Sequence, residues 1–125
     1  MKKMYALQDI QQWETLKEGV QGSRGVVIFK RSPICPISAA AEREFDVWYE
    51  RIPDDEDILC AKVDVIASHP LSRHIAKELG VEHQSPQVLW ISPEGNVRWH
   101  VVTIPLPEII FVPLLTSEAL WRRGI

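Results

Sequence analysis

Val26, Val27, Ile28 and Phe29 follow one another with no polar residue between them. A strand with one face in water alternates apolar and polar residues. A strand that does not alternate must be covered on both faces. This run therefore demands a sheet with helices packed above and below it. Ile58–Val65, "ILCAKVDV", alternates poorly and is a second run of this kind, and "PQVLWIS" (Pro86–Ser92) reads as a further strand.

Between these runs the apolar period changes. In "ISAAAEREFDVWYERI", Ile37, Ala41, Phe45 and Trp48 fall close to four apart and Ile52 continues the stripe, which predicts a helix over Pro36–Arg51 ended by Pro53. "SHPLSRHIAKELG" predicts a shorter helix, with a capping serine, a proline near its start, an inner stripe of Leu71, Ile75 and Leu79, and Gly80 as its stop. Residues 8–18 carry Ile10, Trp13 and Leu16 at spacings of three, with Leu7 one turn earlier, and read as a first helix. "NVRWHVV" is a further strand, joined to "PQVLWIS" through "PEGN", a turn short enough for an antiparallel hairpin. In the C-terminal "PLPEIIFVPLLTSEALWRRG" a helix is expected that starts or kinks at Pro113. The order is helix, strand, helix, strand, helix, strand, strand, helix. It predicts one α/β domain over residues 1–125, with a central mixed sheet flanked by helices on both faces.

Charge and composition narrow the function. The net charge is −3 with no long run of either sign, so neither a nucleic-acid footprint nor a basic membrane-binding face is present. The N-terminus lacks the apolar stretch of a signal peptide, and no segment approaches the roughly 18 apolar residues of a membrane span. The cytoplasm is the expected location. Two cysteines are too few for a disulfide scaffold, and neither they nor the four histidines have metal-site spacing, so no metal is expected.

The candidate chemistry lies in "FKRSPICPIS". This stretch leaves the buried run and enters the second helix, and ligands of open α/β sheets bind beyond the carboxyl ends of strands. Pro36 suits the first helical position, which makes Cys35 the expected N-cap. Its sulfur then stands near unpaired backbone N–H groups, which favour the thiolate, the nucleophilic form. Lys30 and Arg31 add positive charge nearby or are simply solvated. Ser38, at the third helical position, either stabilises the thiolate through its hydroxyl or serves only as a helix-start residue. It cannot form a disulfide, so a mixed disulfide on Cys35 must be resolved by another molecule. Cys35 and Cys60 each have a plainer reading as small buried hydrophobes; for Cys60, mid-strand, that is the expected one. Pro86 stands at the start of the third strand, where a trans bond is the ordinary state, since cis X–Pro bonds make up only about 5–6%. His83 and His100 read as surface or packing residues.

The stretches "FKRSPICPIS", "KVDVIASHPLSRHIAKELGVEHQSPQVLWI" and "GNVRWH" resemble the YtxJ-like monothiol bacilliredoxin family, a branch of the thioredoxin superfamily, over most of residues 1–100. The resemblance implies a thioredoxin-like fold, Cys35 as nucleophile with Pro36 beside it, and Ser38 in the place of a resolving cysteine. It further implies that Pro86 is a cis-proline and that Ser85 supplies backbone for a bound thiol or peptide; Lys30 and Arg31, beside the same turn, are candidate substrate-binding residues. The implied activity removes bacillithiol from bacillithiolated proteins. Bacillithiol is then a cosubstrate, with no cofactor bound, and free bacillithiol or a bacillithiol reductase system regenerates the thiol. An iron–sulfur carrier of the monothiol glutaredoxin kind and a non-catalytic adapter are the alternatives; Pro36, where the former has a small glycine, crowds a cluster's approach. The chain departs from the family in "RSPI", where a histidine and a threonine are more usual. It departs again after His100, where the apolar, proline-rich segment is a candidate cover for a core face or a candidate homodimer interface.

Overall fold

The computed structural model describes residues 2–102. The expected C-terminal helix and the candidate dimer segment lie outside them. Five strands and three helices follow in the order β1 (Lys3–Leu7), α1 (Ile10–Glu18), β2 (Val26–Arg31), α2 (Pro36–Arg51), β3 (Leu59–Asp64), α3 (His69–Leu79), β4 (Gln87–Ile91) and β5 (Val97–Val102). They form one mixed sheet in the order β1-β3-β2-β4-β5. β1 and β2 run parallel to β3; β4 runs antiparallel to β2, and β5 to β4.

β1 departs from the sequence reading, which began the fold with a helix. Leu7 does not extend the stripe of α1: it ends β1, pairs with Val63 and is buried in the sheet. The helix starts one turn later, behind an Asp9 side chain that accepts from the Gln12 N–H. Ile10, counted in the stripe, is exposed. In α2 the inward row is Ser38, Ala41, Phe45 and Trp48, and Ile37 faces water. In α3, Gly80 ends the helix at φ 67°, as its place in the sequence predicts.

β2 is the middle strand, and its two faces feed two cores. Val26 and Ile28 pack with Trp13 and Leu16 of α1 and Leu71 and Ile75 of α3. Val27 and Phe29 pack with Ala41, Phe45 and Trp48 of α2 and with Cys60 of β3. The Phe29 and Phe45 rings stack with centroids 5.1 Å apart. Burying such a side chain contributes about 1.5–3 kcal/mol. α1 is tied to α3 where Glu78 takes the Trp13 indole N–H at 3.3 Å and the Lys17 ammonium at 2.7 Å.

Gly25 fixes how β2 enters the sheet. Its φ is 110°, and a Cβ there would fall 2.0 Å from the Ile91 carbonyl oxygen of β4. Gly22, at φ 83°, has open space around it. Gly22→Ala should therefore cost only the left-handed backbone penalty of about 1–2 kcal/mol, whereas Gly25→Ala must also push β4 away from β2. Urea unfolding of the two variants should show the second far less stable; equal losses would contradict this packing.

Candidate active site

The carboxyl end of β2 organises the site. Chain leaving Arg31 turns through Ser32–Cys35, closed by Cys35 N–H donating to the Ser32 carbonyl at 3.4 Å, and Pro36 begins α2. Cys35 is the N-cap residue, with extended backbone (φ −111°, ψ 117°), and its thiol makes no capping hydrogen bond. The first N–H groups of a helix have no carbonyl partner within it, so the half-buried, free Cys35 thiol stands at a terminus that favours anions. Cys60 is fully buried in β3. Pro33, Ile34, Pro36 and Ile37, which flank Cys35, are exposed, Ile34 to 79%.

Ser38 is buried, and its Oγ accepts from the Ser32 N–H at 2.8 Å. The hydroxyl thus holds the turn that carries Cys35. A second side chain at this position that left Ser32 N–H unpaired would loosen that turn. The Ser85–Pro86 bond is cis, as the family resemblance implies. Gln87 pairs with Lys30 across β2 and β4, so the loop ending at Pro86 lies beside the exit of β2. Ser85 Oγ is buried with no hydrogen-bond partner among the described residues.

Neither of the two expected cations stands free in solvent. Arg31 binds Glu42 of α2 at 2.8 Å and Asp64 of β3 at 3.3 Å, and Glu42 also takes Lys62 at 2.8 Å. Burial pushes the Glu42 carboxyl up, but Lys62 and Arg31 more than offset it and hold it below the usual range. Lys30 is buried on the opposite face of β2, toward α3. Its Nζ donates to the Ser72 carbonyl at 3.0 Å and lies 3.4 Å from His83 Nδ1, which is also 3.1 Å from Ser72 Oγ. Burial, and then Arg73, bring the Lys30 ammonium down to about 8. His83 is lowered too, by burial first and then by Lys30, Arg73 and His69.

Ser72, Arg73 and His83 were not singled out as site residues by sequence reasoning. The one available signal was Lys30 itself, a cation placed directly after a run that had to be buried. The Glu14–His74–Glu78 group on the α1–α3 surface is held together by Lys17, whose ammonium lies 3.1 Å and 2.7 Å from the two carboxylates.

A five-stranded mixed sheet, helices on both faces, and a cysteine opening the helix after the central strand define a thioredoxin-fold protein. Solved structures agree on the fold. The Fasciola hepatica thioredoxin superposes with a TM-score of 0.71 at 19% identity, covering 91% of this chain and 98% of that one. Thioredoxin NaTrxh from Nicotiana alata gives 0.70 at 17%, covering 92% of each. A protein solved as a candidate oxidoreductase with a thioredoxin fold gives 0.68 at 30% identity, covering 86% of this chain and 90% of that one. The profile described as monothiol bacilliredoxin BrxC matches residues 5–104, and the chain belongs to that family.

Two outcomes follow. Iodoacetamide should label Cys35 and leave Cys60 unmodified in the native protein, read by peptide mass spectrometry; labelling of Cys60 would contradict its burial in β3. The second concerns Lys30. The unfolded chain keeps this proton to the usual 10.5 and the folded chain only to about 8. Between those values the unfolded state binds more protons, so stability rises with pH there, and below pH 8 the buried ammonium costs on the order of 3 kcal/mol. Wild type should gain stability relative to Lys30→Met between pH 7.5 and 10 in urea titrations, and a pH-independent difference would contradict this.

Proposed function

We propose that the protein is a monothiol thiol–disulfide exchange enzyme that removes bacillithiol from mixed disulfides on proteins, with Cys35 as nucleophile. The observation that carries this reading is a free, half-buried Cys35 thiol at the N-cap of α2, with a serine rather than a cysteine one turn on. The Cys35 thiolate attacks the bacillithiol sulfur. A Cys35–bacillithiol disulfide forms as the bacillithiol–protein disulfide breaks, and the freed protein thiolate takes a proton from water. Ser38 cannot displace the adduct, so a second thiolate, from free bacillithiol or a bacillithiol reductase system, attacks it and restores Cys35. Thiol–disulfide exchange of this kind conserves the number of disulfides and needs no metal or bound cofactor.

Pro36 lacks an N–H and begins the helix, which leaves the terminus open toward the sulfur. Ser85 and Pro86 border the exit of β2, and in this reading the Ser85 backbone, its hydroxyl being buried, pairs with the bound thiol or peptide. Exposed Pro33, Ile34 and Ile37 give the protein part of the mixed disulfide an apolar surface to rest on. Arg31 and Lys30 act from within the fold, one by fixing α2 to β3 and the other beneath the loop of His83. Whole-chain residues 1–125 form one such domain in this reading, and the reducing cytoplasm is its compartment. No helix among the described residues is long and apolar enough to cross a membrane.

Incubation with a bacillithiolated protein should transfer a bacillithiol-sized mass to Cys35, and Cys35→Ser should abolish the transfer. Ser38→Ala should keep the reaction but slow it severalfold, since one hydrogen bond of about 1 kcal/mol to the Cys35 turn is lost. A wild-type protein that acquires no adduct would defeat the proposal.

A further inference from the structure

The α3 side of the site collects positive charge that no carboxylate among the described residues pairs with. Lys30 is fully buried, yet its ammonium meets a carbonyl and an imidazole, not a carboxylate. Buried ammonium groups are rarely left without a counter-charge. Arg73 lies close enough to act on both Lys30 and His83, and His69 packs edge-on against His83 at 5.9 Å. Among the described residues, neither Arg73 nor Lys77 has an ion-pair partner. The acids on the same stretch do not compensate. Glu78 is taken by Lys17 on the α1 side, and the exposed Glu82 makes no ion pair with Arg73 or Lys77 among the described residues. In a chain of net charge −3, such a cluster stands out.

The charge surrounds a space. Arg73, Ala76, Lys77, Val81 and His83 line an open hollow of about 370 Å³. Its His83 wall belongs to the loop that carries Ser85 and Pro86 into β4, and Lys30 lies beneath that wall, five residues before Cys35. The hollow therefore adjoins the loop that lies beside the exit of β2, the strand that leads to Cys35.

We propose that this hollow is an anion subsite that holds the malate carboxylates of bacillithiol while Cys35 reacts with its sulfur. The proposal rests on the thiol-exchange reading of Cys35. Bacillithiol joins a cysteine to a glucosamine that bears malate, so its thiol and its two carboxylates lie at opposite ends. A guanidinium and an ammonium on successive turns of α3 suit a dicarboxylate. The buried Lys30 adds a fixed positive field that a docked anion completes, and His83, whose charging burial and its cationic neighbours disfavour, lines the hollow as a polar wall. The function is selectivity: the site favours bacillithiol over uncharged thiols at the same sulfur.

The test uses the full chain and small probes. Malate is titrated into Cys35→Ser protein, with methyl glucoside as the neutral control, and backbone amide shifts are followed by NMR. Malate alone should shift Arg73, Lys77 and His83, and the shifts should vanish in an Arg73→Glu/Lys77→Glu background. In parallel, the rate of Cys35 with bacillithiol disulfide is divided by its rate with 2-hydroxyethyl disulfide. That ratio should fall about tenfold in Arg73→Glu/Lys77→Glu, the size of one lost charge-assisted hydrogen bond, and return in Arg73→Lys/Lys77→Arg. No malate-specific shift, or an unchanged ratio, overturns the subsite. So does a ratio that holds while only acid-rich bacillithiolated peptides are slowed, which would assign the hollow to the protein partner. If wild type reacts with neither disulfide but malate still shifts these amides, the exchange reading fails and the anion site stands.

Discussion

Two-sided burial of β2 is the constraint on which the other features rest. The strand gives Val26 and Ile28 to one core and Val27 and Phe29 to the other, so α1 and α3 must cover one face and α2 the opposite one. Nothing on β2 can then carry chemistry until the strand ends. The first exposed chain lies beyond Arg31, and the helix that must return over Phe29 begins almost at once. Cys35 falls at that junction because the strand is too well buried to host a reactive group and α2 too well packed to start later.

The same geometry sorts charge between the two sides of the sheet. On the α2 side, Arg31 and Lys62 are answered by Glu42, Asp46 and Asp64. These ion pairs bind α2 to β2 and β3, and they hold the start of α2 in register with the strand ends. On the α3 side, Lys30, Arg73 and Lys77 carry charge around His83 with no acid paired to them among the described residues. One side is closed upon itself, and the other keeps a surplus for something that arrives from outside. A monothiol site has the same logic, since its reaction must also be completed by a second molecule.

Much of the fold was legible in one dimension because burial writes its period directly into the chain. Phe45 and Trp48 mark the inner face of α2, and Gly80 marks the end of α3, by rules that involve only near neighbours. β1 was not legible: Lys3–Leu7 is a short edge strand, mostly exposed, and what makes it a strand is pairing with Leu59–Val63, over fifty residues on. Ile37 and Ser38 exchanged roles for a related reason. The stripe predicts Ile37 inside, but the turn at Ser32 needs a hydrogen-bond acceptor, and Ser38 is buried to supply it.

The sequence by itself determined a covered sheet, a cysteine at the start of a helix, and the absence of a second thiol one turn on, because each depends on residues within a few positions of one another. Only the tertiary structure decided where Lys30 points and what Arg31 holds. It also decided which residues of α3 stand around His83. Those outcomes depend on how α3 and the loop before β4 pack against β2, contacts between segments some 40 to 50 residues apart, whose geometry no local pattern encodes.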